Sequence, residues 1–131
     1  MARFRTLLLP AALLLVVIAA LSLWSRGGED EPAAIVVEAI EAGAPVLDVR
    51  TAREFATGHV VGARNANVLD GDFRQRVDDL ARDQTVYVYC ASGHRSGRAA
   101  SVLEEMGFER VVNAGGIGAL RAAGAEIEAS S

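Results

Sequence analysis

The sequence predicts an α/β domain in which four to five parallel strands form a sheet with helices on both faces. Short apolar runs rich in β-branched residues alternate along the chain with segments that repeat apolar residues at helical spacing. Such alternation makes consecutive strands parallel and places the connecting helices on the faces of the sheet. About 100 residues remain once the apolar N-terminal run is set aside, a usual size for one domain.

The first 26 residues are predicted to be a signal peptide or a membrane anchor. Leu7–Trp24 is an 18-residue run without charge, close to the minimum that spans a bilayer as a helix. Arg3 and Arg5 precede this run and acidic residues follow it, which places the domain outside the cytoplasm. An uncleaved anchor fits the length of the run, and cleavage near Ala20–Ser22 is the alternative. We therefore expect an exported domain on the periplasmic side of the inner membrane.

The remainder is predicted to comprise a linker at 27–32, a domain at 33–124 and a frayed tail at 125–131. The predicted strands are Val46–Val49, a short one near Ala66–Val68, Thr85–Tyr89 and Arg110–Asn113. The predicted helices are Ala33–Ala42, a short one from the Thr51–Glu54 capping box to Gly58, Asp70–Ala81, Ser96–Met106 and Ile117–Ala123. Between the last strand and helix, Ala114–Gly116 is predicted as a turn.

Composition excludes several classes of function. All thirteen basic residues are arginine, and three of them lie before residue 27, so ten arginines face seventeen acids in the remainder. That acidic balance argues against a nucleic-acid-binding domain. A single cysteine excludes an internal disulfide. The two histidines, His59 and His94, are not at metal-ligand spacing, so we expect neither a metal site nor a cofactor.

Cys90 is the centre of the predicted functional site. It ends a buried strand and precedes a short loop that leads into a helix, so its sulfur faces the positive end of that helix. Orphan N–H groups at a helix N-terminus stabilise a thiolate, and Arg95 and Arg98 add positive charge. The stretch is therefore predicted to hold a nucleophile in an anion-binding loop, whose members are Ala91, Ser92, Gly93, His94, Arg95 and Ser96.

Other residues are predicted to support this loop. In a parallel sheet, ligands bind at the carboxyl ends of the strands, where Asp48 and Arg50 also lie. We expect these two to brace the loop rather than to touch substrate. Arg95 has three open interpretations, which are fixing the loop, meeting anionic oxygens of a substrate, or forming a salt bridge with a nearby acid. His94 is interpreted as solvated rather than as a group that tunes substrate charge, and His59 as a tie between loops.

A set of short motifs resembles the rhodanese domain over about Val46 to Leu120. The resemblance rests on Asp48-Val-Arg50, Glu54-Phe55, Gly58-His59-Val60, Gly62-Ala63, Val88-Tyr-Cys90, Gly93-His-Arg95, Ser96 with Ala99-Ala100, Leu103, Met106-Gly107-Phe108 and Asn113-Ala-Gly-Gly116. Within the family, the sequence is most similar to small exported rhodaneses of the bacterial phage-shock type. The region before Val46 is shorter than in many members of the family.

The resemblance implies a sulfurtransferase with a persulfide intermediate on Cys90. It implies a small anionic sulfur donor such as thiosulfate and an acceptor that is cyanide or a thiol. Because the chain has no second cysteine, that acceptor must come from outside. Apart from these small molecules, the membrane is the only partner that we expect, through the N-terminal helix.

Two alternative functions stay open at this stage. The domain could carry persulfide sulfur to a partner, or bind an anion, without catalytic turnover. A phosphatase or arsenate reductase is the weaker alternative, because related enzymes of this fold use a longer Cys-x5-Arg loop. In this chain Arg95 gives Cys-x4-Arg, and Ser96 stands where the phosphatase arginine would be.

Overall fold

A computed structural model describes residues 29–131, which form a parallel sheet and a small second sheet. Within this range the parallel sheet has five strands in the order β1-β6-β5-β2-β4. From one edge to the other these strands are β1 (Glu29–Asp30), β6 (Arg110–Gly116), β5 (Thr85–Cys90), β2 (Val46–Asp48) and β4 (Arg64–Asn65). β3 (His59–Val60) pairs antiparallel with β7 (Ile127–Glu128). The strand that ends in Cys90 is thus the central one.

Helices cover both faces of the parallel sheet, as predicted. They are α1 (Ala33–Glu41), α2 (Ala52–Thr57), α3 (Phe73–Val77), α4 (His94–Glu105) and α5 (Ile117–Ala122). α2 begins with the predicted capping box, in which the Thr51 hydroxyl accepts from the Glu54 amide and the Glu54 carboxylate accepts from the Thr51 amide. This part of the fold follows directly from local sequence.

Alternation along β5 divides the core into two clusters. Val86, Val88 and Cys90 join the cluster that packs under α3 and α4. Tyr87 and Tyr89 point to the opposite face and join the cluster under α1 and α5. Because successive side chains of a strand alternate between faces, this register directs the Cys90 thiol toward the start of α4.

Several predicted boundaries are wrong. The helix predicted at Asp70–Ala81 is only one turn, α3, and Leu80 packs against the core from outside it. Asp78 and Asp79 follow the last residue of α3, where their negative charges are repelled by the negative end of the helix dipole. This repulsion disfavours continuation of the helix. The strand expected near Ala66–Val68 lies just before it, at β4.

The chain ends of the domain are more ordered than predicted. Glu29–Asp30, in the predicted linker, pairs in parallel with Val112–Asn113 of β6. The tail predicted to fray instead forms β7, and the Ser130 amide donates to the Ala56 carbonyl at 3.1 Å. Because these pairings join segments that are far apart in sequence, no local sequence pattern predicts them.

The predicted anchor, Leu7–Trp24, lies outside the described residues. Among residues 29–131, no helix has both the length and the apolar character needed to cross a bilayer.

Candidate active site

The loop after β5 turns sharply enough to fold over the Cys90 side chain. Ala91 and Ser92 are exposed, and Gly93 adopts φ +93°, a left-handed conformation that favours glycine. Helix α4 then begins at His94, two residues earlier than predicted, with Gly93 at its N-cap. The first turn of α4 is therefore part of the loop that surrounds the sulfur.

The Cys90 thiol is completely buried and accepts hydrogen bonds from this loop. The Gly93 amide donates to Sγ at 3.0 Å, and the Ser96 hydroxyl lies 3.5 Å from Sγ. Burial alone would raise the pKa of the thiol, but bonds from the Ser96 hydroxyl and from the backbone of Ser96, Ser92 and Gly93 outweigh it. The net pKa of Cys90 is lowered, so the site favours a thiolate, as the sequence predicts.

Asn113 connects the loop to the neighbouring strand. Its side-chain Nδ2 donates to the Gly93 carbonyl at 3.2 Å, and its Oδ1 accepts from the Ser96 hydroxyl at 2.7 Å and from the Gly115 amide at 3.1 Å. The Ser96 hydroxyl has one hydrogen, so it donates either to Asn113 or, after rotation, to a Cys90 thiolate. Asn113 thus holds both the loop at Gly93 and the Ser96 hydroxyl in place.

A β-bulge in β6 creates the position of Asn113. Val88 pairs with Asn113 and Cys90 with Gly116, so two steps along β5 oppose three along β6. Gly115 within the bulge has φ +78°. The sequence predicted a turn at Ala114–Gly116, whereas the strand continues through the bulge to Gly116. Bulges of this kind re-aim side chains beside active sites.

The bulge brings the strand backbone against the loop backbone. A Cβ on Gly116 would lie 2.6 Å from the Ala91 carbonyl oxygen, and one on Gly93 would lie 3.3 Å from the Gly115 Cα. Neither position has room for a side chain without movement of backbone. The strand backbone at Gly115 and Gly116 therefore passes close to the loop that surrounds Cys90.

Arg95 forms a salt bridge, one of the three interpretations open from sequence. Its two terminal nitrogens donate to the two carboxylate oxygens of Glu54, both at 2.8 Å. Arg95, together with hydrogen bonds from Thr51, lowers the pKa of Glu54 to about 2 even though burial opposes the shift. The pair fastens the first turn of α4 to the first turn of α2.

Asp48 and Arg50 pair with each other instead of bonding to the loop. The carboxylate of Asp48 accepts from the Arg50 Nη2 at 2.6 Å, from its Nε at 3.0 Å and from its amide at 3.0 Å. Arg50 also donates to the Gly58 carbonyl at 2.7 Å. Both residues are buried. Through the bond to Gly58, the pair connects β2 to the end of α2. The expectation that the two residues brace the loop at 91–96 is therefore wrong.

The two histidines occupy different environments. His94 is exposed at the start of α4, which favours the interpretation of a solvated side chain. His59 is buried, and its Nδ1 lies 2.9 Å from the Phe55 carbonyl, which confirms its predicted role as a tie. Its ring also stacks on Phe55 at 3.6 Å between centroids. Within residues 29–131, no group of three or more histidine, cysteine or acidic side chains is gathered to hold a metal ion.

Sequence reasoning did not assign roles to two residues of the site. In the sequence, Asn113 belongs to the Asn113-Ala-Gly-Gly116 motif at a strand end, and Glu54 belongs to a capping box and to the Glu54-Phe55 motif, but neither pattern assigns a role in the site. The sequence signal for Asn113 was its position before two glycines, which indicates close backbone packing. No local signal pairs Glu54 with Arg95, because 41 residues separate them.

The family model for the rhodanese-like domain matches residues 32–123. The chain belongs to the rhodanese-like family. That match covers nearly the whole described range, including the Cys90 loop, Asn113 and the bulge. The resemblance found from the motifs is therefore confirmed.

Curated relatives and solved structures agree with this assignment. The chain is 38% identical over 71 residues to the thiosulfate sulfurtransferase PspE of Escherichia coli, a match that covers 54% of this chain and 68% of PspE. It is 40% identical over 70 residues to YqhL of Bacillus subtilis, covering 53% of this chain and 54% of YqhL. The chain thus spans about half to two thirds of these relatives.

The solution structure of the rhodanese-like domain of Alr3790 from Anabaena superposes with a TM-score of 0.67. It is 29% identical in sequence, and the superposition covers 79% of each chain. The parallel sheet with its flanking helices is therefore the fold of the family.

Proposed function

We propose that this domain is a thiosulfate-type sulfurtransferase that carries sulfane sulfur on Cys90. The observation that carries the proposal is the buried thiol whose pKa is lowered by hydrogen bonds from the surrounding loop. A preformed thiolate is the nucleophile that sulfur transfer needs, and no general base is then required. Similarity to PspE supports thiosulfate as the donor class.

In the first half of the cycle, the Cys90 thiolate attacks the outer sulfur of thiosulfate. A new S–S bond forms on Cys90, the S–S bond of thiosulfate breaks, and its electron pair leaves with sulfite. The product is a Cys90 persulfide anion. Amides such as that of Gly93, which already donate toward Sγ, are placed to stabilise this negative charge.

In the second half, cyanide or a thiolate attacks the outer sulfur of the persulfide. The S–S bond on Cys90 breaks, and the Cys90 thiolate is regenerated as thiocyanate or a new persulfide leaves. Charge and atoms balance in both halves, and the sulfur atom moves without an external oxidant. The cycle is a two-step exchange with a covalent intermediate.

The shape of the loop favours this chemistry over phosphoryl or arsenate transfer. Phosphoryl or arsenate transfer requires attack on the tetrahedral centre itself, whose oxygens need an arginine fork and a ring of free amides, whereas Cys90 would attack only the outer sulfur of thiosulfate. In this site the Arg95 fork is already taken by Glu54, and buried Ser96 occupies the next position. Because Cys90 has no exposed surface, attack also requires the loop to shift.

Steady-state turnover with thiosulfate and cyanide tests the proposal. An enzyme forms thiocyanate in many equivalents per protein, whereas a carrier that releases sulfur only to a protein partner stops after one. Cys90→Ser should form none. Ser101→Ala removes a half-buried α4 hydroxyl that donates to the Gly97 carbonyl and not to Cys90, so this variant should turn over like the wild type. Wild-type protein that releases no thiocyanate beyond one equivalent would contradict the enzymatic assignment.

We also propose, from Leu7–Trp24, that the domain acts on the periplasmic side of the inner membrane. Separation of membrane, periplasmic and cytosolic fractions tests this. Retention in the membrane fraction supports an anchor, a shortened soluble periplasmic form supports cleavage, and full-length protein in the cytosol contradicts export.

A further inference from the structure

The Ser96 hydroxyl is completely buried and has two hydrogen-bond partners within residues 29–131. Its oxygen lies 2.7 Å from the Asn113 Oδ1 on one side and 3.5 Å from the Cys90 Sγ on the other. A hydroxyl carries one hydrogen, so it donates to one of these partners at a time and presents a lone pair to the other. The direction of each bond therefore depends on both ends of the chain from Cys90 to Asn113.

The partners of the Asn113 side chain determine where this hydrogen lies when Cys90 is a thiol. The Gly115 amide can only donate, and it lies 3.1 Å from Oδ1. The Gly93 carbonyl can only accept, and it lies 3.2 Å from Nδ2. A flipped amide would set donor against donor and acceptor against acceptor, so Oδ1 is the atom that faces Ser96. Because an amide oxygen carries no hydrogen, the Ser96 hydroxyl must donate to Asn113.

Ionisation of Cys90 reverses the first bond of this chain. The thiol donates its hydrogen to the Ser96 oxygen, whose own hydrogen lies on Asn113. The thiolate has no hydrogen and attracts a donor, so the Ser96 hydroxyl rotates and donates to Sγ. The bond from Ser96 is among the causes that lower the pKa of Cys90. The thiolate thus gains a hydrogen bond that Asn113 loses.

Charged side chains around the Cys90 loop are paired or exposed. Those that form ion pairs are Arg95 with Glu54, and Arg50 with Asp48. Those that are exposed on the first turns of α4 are His94 and Arg98. Asn113 and Ser96 are neutral, so substitutions that exchange them for neutral residues leave every one of these charges in place.

We propose that Asn113 is a positioning residue that competes with the Cys90 sulfur for the single hydrogen of the Ser96 hydroxyl. This inference rests on the proposed function and concerns the same site. The hydrogen stays covalently bound to Ser96 in both orientations, and the only bond that breaks is the S–H bond of Cys90, whose proton leaves to solvent. Asn113 therefore sets how much of the stabilisation from the hydroxyl reaches the nucleophile.

A double-mutant cycle on Asn113 and Ser96 tests this competition. The pKa of Cys90 is measured from the ultraviolet absorbance of the thiolate in wild type, Asn113→Leu, Ser96→Ala and the double variant, with Cys90→Ser as the blank. Leu removes the competing acceptor, so the shift that it causes should be more negative with Ser96 present than in the Ser96→Ala background. We expect the two ratios of acid dissociation constants to differ about fivefold, the size of one intramolecular hydrogen bond.

Asn113→Asp is a second variant, of nearly the same shape as the wild type, for which the expected sign is reversed. A carboxylate accepts a hydrogen bond more strongly than an amide oxygen, so it holds the Ser96 hydrogen away from the sulfur. The substitution should raise the pKa of Cys90, and by more with Ser96 present than in the Ser96→Ala background, where only the added charge acts. This half of the test holds even if Asn113→Leu does not fold.

The matched control is Asn65→Leu. Asn65 is also half-buried at the carboxyl end of a strand, and its Nδ2 donates to the backbone carbonyls of Asp48 and Arg50. It removes a similar set of hydrogen bonds without contacting Ser96. Any shift that this variant causes in the pKa of Cys90 should therefore be the same in both Ser96 backgrounds.

Equal shifts by Asn113→Leu in the two Ser96 backgrounds would overturn the inference. A coupling of the opposite sign would also overturn it, because Asn113 would then direct the hydroxyl toward the sulfur. The titration requires no sulfur transfer, so it is independent of the proposed function. Failure of the wild type to take sulfur from thiosulfate contradicts the proposed function, and the titration still decides whether Asn113 and Cys90 share the Ser96 hydrogen.

Discussion

Two segments at the carboxyl ends of neighbouring strands place polar groups at the same edge of the sheet, and the two sets of groups have opposite roles. After β5, the loop turns amides and a hydroxyl toward the Cys90 sulfur. After β2, Asp48 and Arg50 neutralise each other and are bonded to Gly58. The same edge of the sheet therefore holds a polarised nucleophile and a closed structural ion pair. Both segments lie at the edge where ligands of a parallel sheet bind. The hydrogen bonds that each segment makes determine whether it can react.

The comparison predicts that Asp48→Asn affects stability much more than chemistry. Removing the charge leaves Arg50 buried without its counter-ion, which costs about 3–5 kcal/mol. Urea unfolding should show this loss, while the folded fraction still loads sulfur on Cys90. The double variant Asp48→Leu with Arg50→Met should recover much of the stability. A variant that is stable yet cannot load sulfur would place Asp48 in the reactive site instead.

Gly116→Ala should have the reverse effect, with more loss of chemistry than of stability. The added Cβ meets the Ala91 carbonyl oxygen at 2.6 Å, so the loop must move. Misplacement of about 1 Å near a reacting centre costs about 100-fold in rate. The rate of single-turnover sulfur loading from thiosulfate measures this loss. Gly71→Ala, where a Cβ meets no atom within 4 Å, is the control and should load normally.

Ser96→Ala should raise the pKa of Cys90, because the hydroxyl is among the groups that lower it. A smaller fraction of Cys90 is then thiolate at any pH near or below its titration midpoint, and loading by thiosulfate slows there in proportion. Ultraviolet absorbance of the thiolate, followed against pH, reports the shift. An unchanged titration midpoint would mean that the hydroxyl serves only Asn113, to which it donates at 2.7 Å.

Glu54→Gln is expected to have the smallest effect, and the effect should depend on pH. The pKa of Glu54 is lowered from 4.5 to about 2 in the folded state. The ion pair therefore contributes its full share of the free energy of unfolding above pH 4.5. That contribution is lost as the pH falls toward 2. Because the pair is partly exposed, we expect a loss of about 1 kcal/mol at neutral pH. Thermal unfolding at several pH values measures it, and a pH-independent difference would contradict the ion-pair account.

The sequence predicted those features that depend on neighbouring residues. The alternation of strands and helices, the Thr51–Glu54 capping box and the placement of Cys90 before Gly93 and a helix are all local patterns. The interactions behind these patterns act between residues within one or two helical turns of each other, so the sequence alone is enough to predict them.

The features that sequence reasoning missed arise between distant segments. The β6 bulge that orients Asn113 depends on pairing with β5. β7 depends on pairing with β3, in which Val60 and Ile127 are 67 positions apart and His59 and Glu128 are 69 positions apart. The Arg95–Glu54 bridge likewise exists only after α2 and α4 are packed together. Such contacts follow from the fold and not from spacing along the chain.

The central claim is that Cys90 takes up a sulfur atom from thiosulfate. Intact-mass measurement after incubation with thiosulfate tests it most directly, on wild type and on Cys90→Ser. We predict that the wild type gains the mass of one sulfur atom, that a thiol reductant removes it, and that Cys90→Ser gains none. A wild-type protein that gains no sulfur, or a Cys90→Ser protein that gains as much, would contradict the account.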